Sequence, residues 1–369
     1  MMAYLDYAGL GRLRPPAVDA MRQALTDVLP HGSAEIGQIF PARRRARAAM
    51  ATLLDCAVEE IAFVPNTSTG LQLVADGLDW RPGDEIVVFD QDFPANVHPW
   101  RALIERGVRL SWVPMRDGGY QLDDIAAAIT GATRLIAVSH VHFATGFRVD
   151  LDAICALAAR TGALVCVDAV QSLGALPLSL TDTPVDFLAA GAHKWLCGPP
   201  GTGVFFCRRD RLPLLRLPGG WFGFEGANDM FTEGPGHLRY DLRPVRTAAR
   251  VEGGMYDVLG LVGLAATLAE LADIGMDAVA GRVRELTGRL RTGLVEAGCR
   301  VHGPPNANTW SGIVGFTHPA VAGVAFAREL VVAGIHVSHP DGIVRVAPHY
   351  WTDDSEVDAL LTAVTRRLS

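Results

Sequence analysis

The sequence lacks several patterns, and each absence removes a class of protein. Its six cysteines (Cys56, Cys155, Cys166, Cys197, Cys207 and Cys299) show no CxxC or other metal-ligand spacing. That excludes a zinc framework and a dithiol redox motif; no metal is expected, and reduced, buried thiols are the expected state. No uninterrupted apolar run approaches the roughly 20 residues that a membrane-spanning helix needs, so no membrane role is read. The start, Met1-Met-Ala-Tyr-Leu-Asp6, has no basic region ahead of an apolar core, and a cytoplasmic location is expected. Neither a GxGxxG fingerprint nor the glycine-rich loop ending in Gly-Lys-Ser/Thr follows a predicted strand, which leaves a nucleotide cofactor poorly supported. A net charge of −7 argues against nucleic acid as the main partner. The basic run Arg43-Arg-Arg-Ala-Arg47 falls in a helical pattern and reads as a solvated face or a subunit contact.

What is present is an α/β alternation long enough for two domains. The chain has 369 residues, 49% of them hydrophobic, enough for large cores. Apolar strands at Ile61–Val64, Gly83–Asp90, Arg134–His140 and Gly162–Asp168 alternate with helical patterns, which predicts a doubly wound, mainly parallel sheet. Two strand ends carry chemistry. The run Gly162–Asp168 is β-branched, apolar and finishes on an acid. The strand Asp186–Ala190 delivers Lys194 into a turn crowded with glycine and proline. Lysine is strongly hydrated, so a buried one needs a reason; one reading is an amine poised to form a Schiff base, the other a side chain snorkelling to the surface. Asp168 could cap a turn or hold a cationic ring nitrogen. Together the pair fits pyridoxal phosphate (PLP), the lysine holding the aldehyde and the aspartate keeping the pyridine nitrogen protonated.

Asp168-Ala-Val-Gln171 and Ala192-His-Lys-Trp195 resemble the signature of the class V aminotransferase group of fold-type I PLP enzymes, which includes cysteine desulfurases, selenocysteine lyases, isopenicillin-N epimerase and kynureninase. The similarity runs from about Tyr4 to the C-terminus. It implies a large PLP-binding domain over residues 16–255, and a smaller α+β domain made of residues 1–15 and 256–369. It also implies a cytoplasmic homodimer that shares its sites between subunits and takes a small amino-acid substrate. Asn66–Thr69 opens a helix, where free N–H groups and the dipole suit a phosphate, and the family places its phosphate cup there on Thr67 and Ser68. Capping by Asn66 or Thr67 is the plain structural alternative.

The remaining assignments also rest on resemblance. Phe93 takes the place of the ring that lies against the cofactor face, where desulfurases carry histidine. Asn96 and His98, just beyond it, read as helix capping and surface. His142 matches a polar group reaching toward the cofactor or substrate, with a structural histidine as the equal alternative; Gln171 matches a partner of the phenolic oxygen, and His193 a cofactor contact. Backbone around Ala8 lines the substrate side. Arg345, in Val344-Arg-Val346, matches the arginine that forks the substrate carboxylate; a surface-facing arginine on an edge strand is the alternative. Two positions depart from the pattern: Gly191 replaces a serine, and Met255 replaces the threonine that reaches the partner's phosphate. The glycine- and aromatic-rich stretch from Pro218 to about Arg246 is expected to build pocket and partner contacts, with Trp221 either a pocket wall or, as the plainer reading, aromatic packing.

Desulfurases carry their persulfide cysteine just before the last strand, whereas Gly334–Ile343 has none. The expected activity is therefore a non-desulfurase one, a lyase cleaving by β-elimination or at C–S. Transamination, epimerisation or oxidative decarboxylation are the alternatives, and a silent PLP-fold scaffold the non-enzymatic one.

Overall fold

A computed structural model describes residues 2–38, 40–216, 219–226, 238–303 and 308–368. Twelve strands are described: β1 Ala3–Tyr4, β2 Ile61–Val64, β3 Glu85–Phe89, β4 Arg109–Val113, β5 Thr133–Ser139, β6 Leu164–Asp168, β7 Phe187–Gly191, β8 Gly203–Cys207, β9 Arg300–Val301, β10 Val314–Thr317, β11 Ile335–His336 and β12 Val344–Val346. Seven form one sheet in the order β2-β8-β7-β6-β5-β3-β4. The β4-β3-β5-β6-β7 block is parallel, while β8 runs antiparallel between β7 and β2. Its central strands are apolar on both faces because helices cover both, as a parallel sheet requires.

Two of those helices set the site. Thr67–Gly77 is capped by Asn66, whose Oδ1 accepts the Thr69 N–H at 2.9 Å. It lies so close to β7 that a Cβ on Gly70 would come within 2.6 Å of the Ala189 methyl, so only glycine permits this approach. Helix Phe40–Leu54 packs against the long apolar helix Val258–Ile274. Its Arg44 and Arg45 are exposed, but Arg43 and Arg47 turn inward to Glu252, which corrects the expectation of a uniformly solvated basic face. Glu252, with a side chain only 2% exposed, also accepts the Phe63 N–H at 2.9 Å and so ties β2 to the segment before Val258. Among the described residues no single helix is long and apolar enough to cross a membrane.

The C-terminal part folds around a second, three-stranded antiparallel sheet in the order β12-β10-β9, packed on helices Met276–Glu296, Gly323–Val332 and Asp354–Leu368. Ala3 and Leu5 enter this core, and β1 pairs in parallel with β11. That pairing alters the hairpin expected around His339–Gly342. The turn forms, but β11 and β12 are joined through a single bridge, Ser338 to Arg345, because β11 is claimed by the N-terminal strand. From β1 the chain then crosses to the large sheet, with Gly11 N–H donating to His193 O at 2.7 Å.

Glu252→Gln leaves two largely buried guanidinium groups without a counter-charge. The variant should lose about 3 kcal/mol of unfolding free energy, read from the shift of a urea denaturation midpoint; a shift near zero would remove this network from the fold's stability.

Candidate active site

The carboxyl ends of β6 and β7 open into one cavity of 760 Å³ at the junction of the large sheet, the N-terminal segment and the turn between β11 and β12. Ligand sites of open parallel sheets lie at this end. Lys194, Asp168, Thr67, Ser68, Phe93, His193, Ala8 and Arg345 all line it. The structure thus brings together residues that are as far apart in sequence as Ala8 and Arg345.

Lys194 is the chain's only lysine. Its backbone is held from several sides: Lys194 O accepts the Cys197 N–H at 2.9 Å, and Cys197 adopts a left-handed φ of 49° to close the turn. A Cβ on Gly11 would come within 2.0 Å of Lys194 O, so that glycine is required by close approach. Trp195 is anchored by His349, whose Nε2 lies 2.8 Å from Trp195 O. The Lys194 ammonium sits 5.5 Å from the centroid of the Phe93 ring. Burial lowers its pKa to about 8, with the neighbouring Asp168 carboxylate acting in the opposite direction.

Asp168 is buried, and burial raises its pKa, again partly offset by Lys194. One oxygen, Oδ1, accepts the Val170 N–H at 2.9 Å. A carboxylate kept this dry with a single backbone donor suits a cationic N–H delivered into the cavity. At the opposite end, Thr67 Oγ1 accepts the Gly191 N–H at 2.9 Å, which leaves its own O–H as a donor. Gly191 now has a reason: a Cβ there would come within 2.7 Å of the His193 imidazole, which fills the space. The helix N-terminus, Thr67, Ser68 and His193 together could hold a phosphate.

Arg345 is 6% exposed, so the surface-facing alternative is wrong. Its Nε donates to Ser338 Oγ at 2.9 Å, Nη1 to Phe143 O at 2.9 Å and Nη2 to Asp6 Oδ1 at 3.1 Å, while Ser338 Oγ donates to the same Asp6 oxygen at 2.7 Å. These contacts use three of its five N–H groups and leave two for a ligand. Phe93 is positioned by Asp92, which accepts the Phe93 N–H at 2.7 Å, the Ser139 hydroxyl at 2.8 Å and the Asn96 amide at 3.0 Å. Asn96, expected at the surface, is buried here.

Four expected residues, His142, Gln171, Met255 and Trp221, are not brought to the cavity wall. His142 Nε2 lies 2.9 Å from Gln91 O and its Nδ1 accepts the Thr145 N–H at 3.2 Å; both ring nitrogens are engaged, and the neighbouring Phe143 faces the cavity instead. Gln171 donates to Ala8 O at 3.0 Å and accepts the Trp195 indole N–H at 2.9 Å, so its amide braces the floor from behind. Met255 is 67% exposed on the outside of the subunit. Trp221 stacks on Phe222 at 3.7 Å and does not line the cavity, and residues 217–218 and 227–237 of its stretch lie outside the described residues. Conversely, Asp6, Ser338 and His339 were missed. A charge in mid-strand demands a partner, and that demand applied to Arg345 was the available signal for Asp6.

A half-buried lysine and a buried aspartate at adjacent strand ends, facing a helix N-terminus across one cavity, define an enzyme that holds an aldehyde cofactor carrying a phosphate tail. The sequence model of the aminotransferase class-V family matches residues 3–350, so this chain belongs to that family and is a PLP-dependent enzyme. A probable cysteine desulfurase of Pyrococcus abyssi is 31% identical over 86% of this chain and 80% of its own length. The apo structure of a cysteine desulfurase from Thermococcus onnurineus NA1 superposes with a TM-score of 0.88 at 26% identity, covering all of this chain and 94% of its own. The cystine C-S lyase C-DES, solved with its product cysteine persulfide, superposes with a TM-score of 0.88 at 25% identity, covering 99% and 97%.

With no other lysine in the chain, borohydride reduction of the PLP-loaded protein should place the pyridoxyl group on Lys194, and Lys194→Ala should lack the visible absorption band. Because the amine's pKa is lowered to about 8, the rate of PLP capture by apoprotein should rise with pH up to about 8 and then level. A rate still climbing toward pH 10 would mean that the amine is not desolvated.

Proposed function

We propose that this enzyme is a C–S lyase acting on a β-substituted amino acid by β-elimination, without a protein persulfide. The observation that carries this reading is the cavity wall. None of the six cysteines lines it, and Cys197, the nearest in sequence to Lys194, is fully buried behind the turn. Burial pushes the Cys197 thiol well above its ordinary pKa, so it is not a thiolate that could take a sulfur atom. The structural likeness to a C-S lyase supports the same reading.

PLP, when bound, withdraws electrons from the substrate's Cα and so weakens the bonds to it. Thr67, Ser68 and His193 would hold its phosphate, Asp168 its ring nitrogen and Lys194 its aldehyde carbon, with Phe93 lining the same cavity. The two remaining N–H groups of Arg345 take the substrate carboxylate, and Asp6 with Ser338 keeps that guanidinium from rotating. The Lys194 amine is placed to take the proton from Cα, and the burial that lowers its pKa to about 8 gives it a larger free-base fraction near neutral pH than an exposed lysine has. Phe93, Phe143, Val170 and Val337 give the cavity an apolar lining beside these polar groups. We also infer a homodimer, in which exposed Met255 and its neighbours meet a second copy; a monomeric mass in solution would remove this part.

Incubation of the PLP-loaded enzyme with S-substituted L-cysteines should release pyruvate and the thiol in equal amounts. Alanine in place of pyruvate would show sulfur replaced by hydrogen and overturn the lyase reading; a 2-oxo acid that retains the sulfur would indicate transamination. Arg345→Ala should keep the visible band while weakening substrate binding by about 30-fold or more, as truncation of one buried charged partner does.

A further inference from the structure

Among the described residues five titratable side chains line the cavity: Asp168, His193, Lys194, His339 and Arg345. Four have roles above, two on the cofactor's ring and aldehyde, one at its phosphate and one on the substrate carboxylate. His339 is left over, and its placement is well determined. Ser338, just before it, exchanges backbone hydrogen bonds with Arg345, at 2.8 Å from Arg345 N to Ser338 O and 3.3 Å from Ser338 N to Arg345 O. The Ser338 hydroxyl is committed to Arg345 Nε and Asp6. Pro340, just after it, fixes φ, and its carbonyl accepts the Ile343 N–H at 3.0 Å. The imidazole therefore stands one residue from the partner of the carboxylate anchor, on a braced turn, exposed to solvent at the rim. Its neighbours in sequence on the cavity lining are Val337 and Pro340, which carry no side-chain proton to give, and Ser338, whose hydroxyl is already committed.

We infer that His339 is the proton donor to the leaving group of a sulfur-substituted amino acid, an inference that rests on the C–S lyase reading. Lys194 Nζ takes the Cα proton and the electron pair of that bond forms the Cα=Cβ bond. The Cβ–S pair departs on sulfur, and the His339 imidazolium supplies the proton that makes the thiol. One water then converts the released enamine to pyruvate and ammonium, so the sum is amino acid plus water giving thiol, pyruvate and ammonium. The exposed position of His339 at the rim lets its ring exchange the proton it gives with solvent.

The test compares a leaving group that needs a proton with one that does not. PLP-loaded wild type and His339→Gln are assayed for pyruvate from S-methyl-L-cysteine and from β-chloro-L-alanine, whose chloride departs unprotonated. The visible band and the substrate affinity from its titration are recorded alongside. The variant should lose about 100-fold or more in kcat on S-methyl-L-cysteine, the usual contribution of general acid catalysis, and change by less than about threefold on β-chloro-L-alanine, with band and affinity retained. Equal losses on both substrates, or no loss on either, would overturn the assignment while leaving the lyase reading in place. Pyruvate from neither substrate with wild type would overturn the lyase reading and this role with it.

Discussion

The structure depends on keeping one amine out of water while holding it reactive. A lysine ammonium is among the more strongly hydrated side chains, and the fold does not neutralise Lys194 with a close ion pair among the described residues. It is surrounded instead by the Phe93 ring, a buried carboxylate that is itself short of donors, and a turn held by backbone contacts from Cys197, Gly11 and His349. Desolvation lowers the amine's pKa and raises that of Asp168, so each group is poised for a partner that brings the opposite charge. Free energy withheld from these two groups in the empty site is available when a cationic ring nitrogen and a carbonyl carbon arrive.

The second constraint comes from the N-terminal segment. Residues from Ala3 to Gly11 join the small sheet at one end and the Lys194 turn at the other, and Asp6 in the middle holds the guanidinium of Arg345. Arg345 and Lys194 therefore share a short piece of backbone as their common reference. This shared mounting matters because a misplacement of about an ångström at a reacting centre costs on the order of 100-fold in rate.

Much of this was legible in the sequence, for reasons that can be named. The parallel sheet follows from apolar runs alternating with helices, and Asp168 and Lys194 stand at strand ends where periodicity is unambiguous. Thr67 and Ser68 follow from the signal of a helix start. Arg345 was visible because a charge inside a short apolar strand violates the pattern around it. What was not legible lay in pairings made over long sequence distances. His142 and Gln171 sit at the right places along the chain, but their polar atoms are taken by Gln91, Thr145, Ala8 and Trp195, and only the folded chain shows that competition. The inward turn of Arg43 and Arg47 toward Glu252 was hidden in the same way, since a helical run of arginines reads as solvated until its partner some 200 residues on is placed.

The chain's basic charge is carried almost wholly by guanidinium groups, with a single ε-amine in the sequence. Guanidinium stays protonated and does not condense readily with aldehydes under conditions where a desolvated amine does. An aldehyde diffusing over this protein therefore meets a surface that deflects it everywhere except at the terminal amine, and the interior address at the end of β7 has no side-chain competitor. Selectivity for the reacting atom is in this respect a property of the whole composition as much as of the cavity: the rest of the chain contributes by offering nothing that reacts.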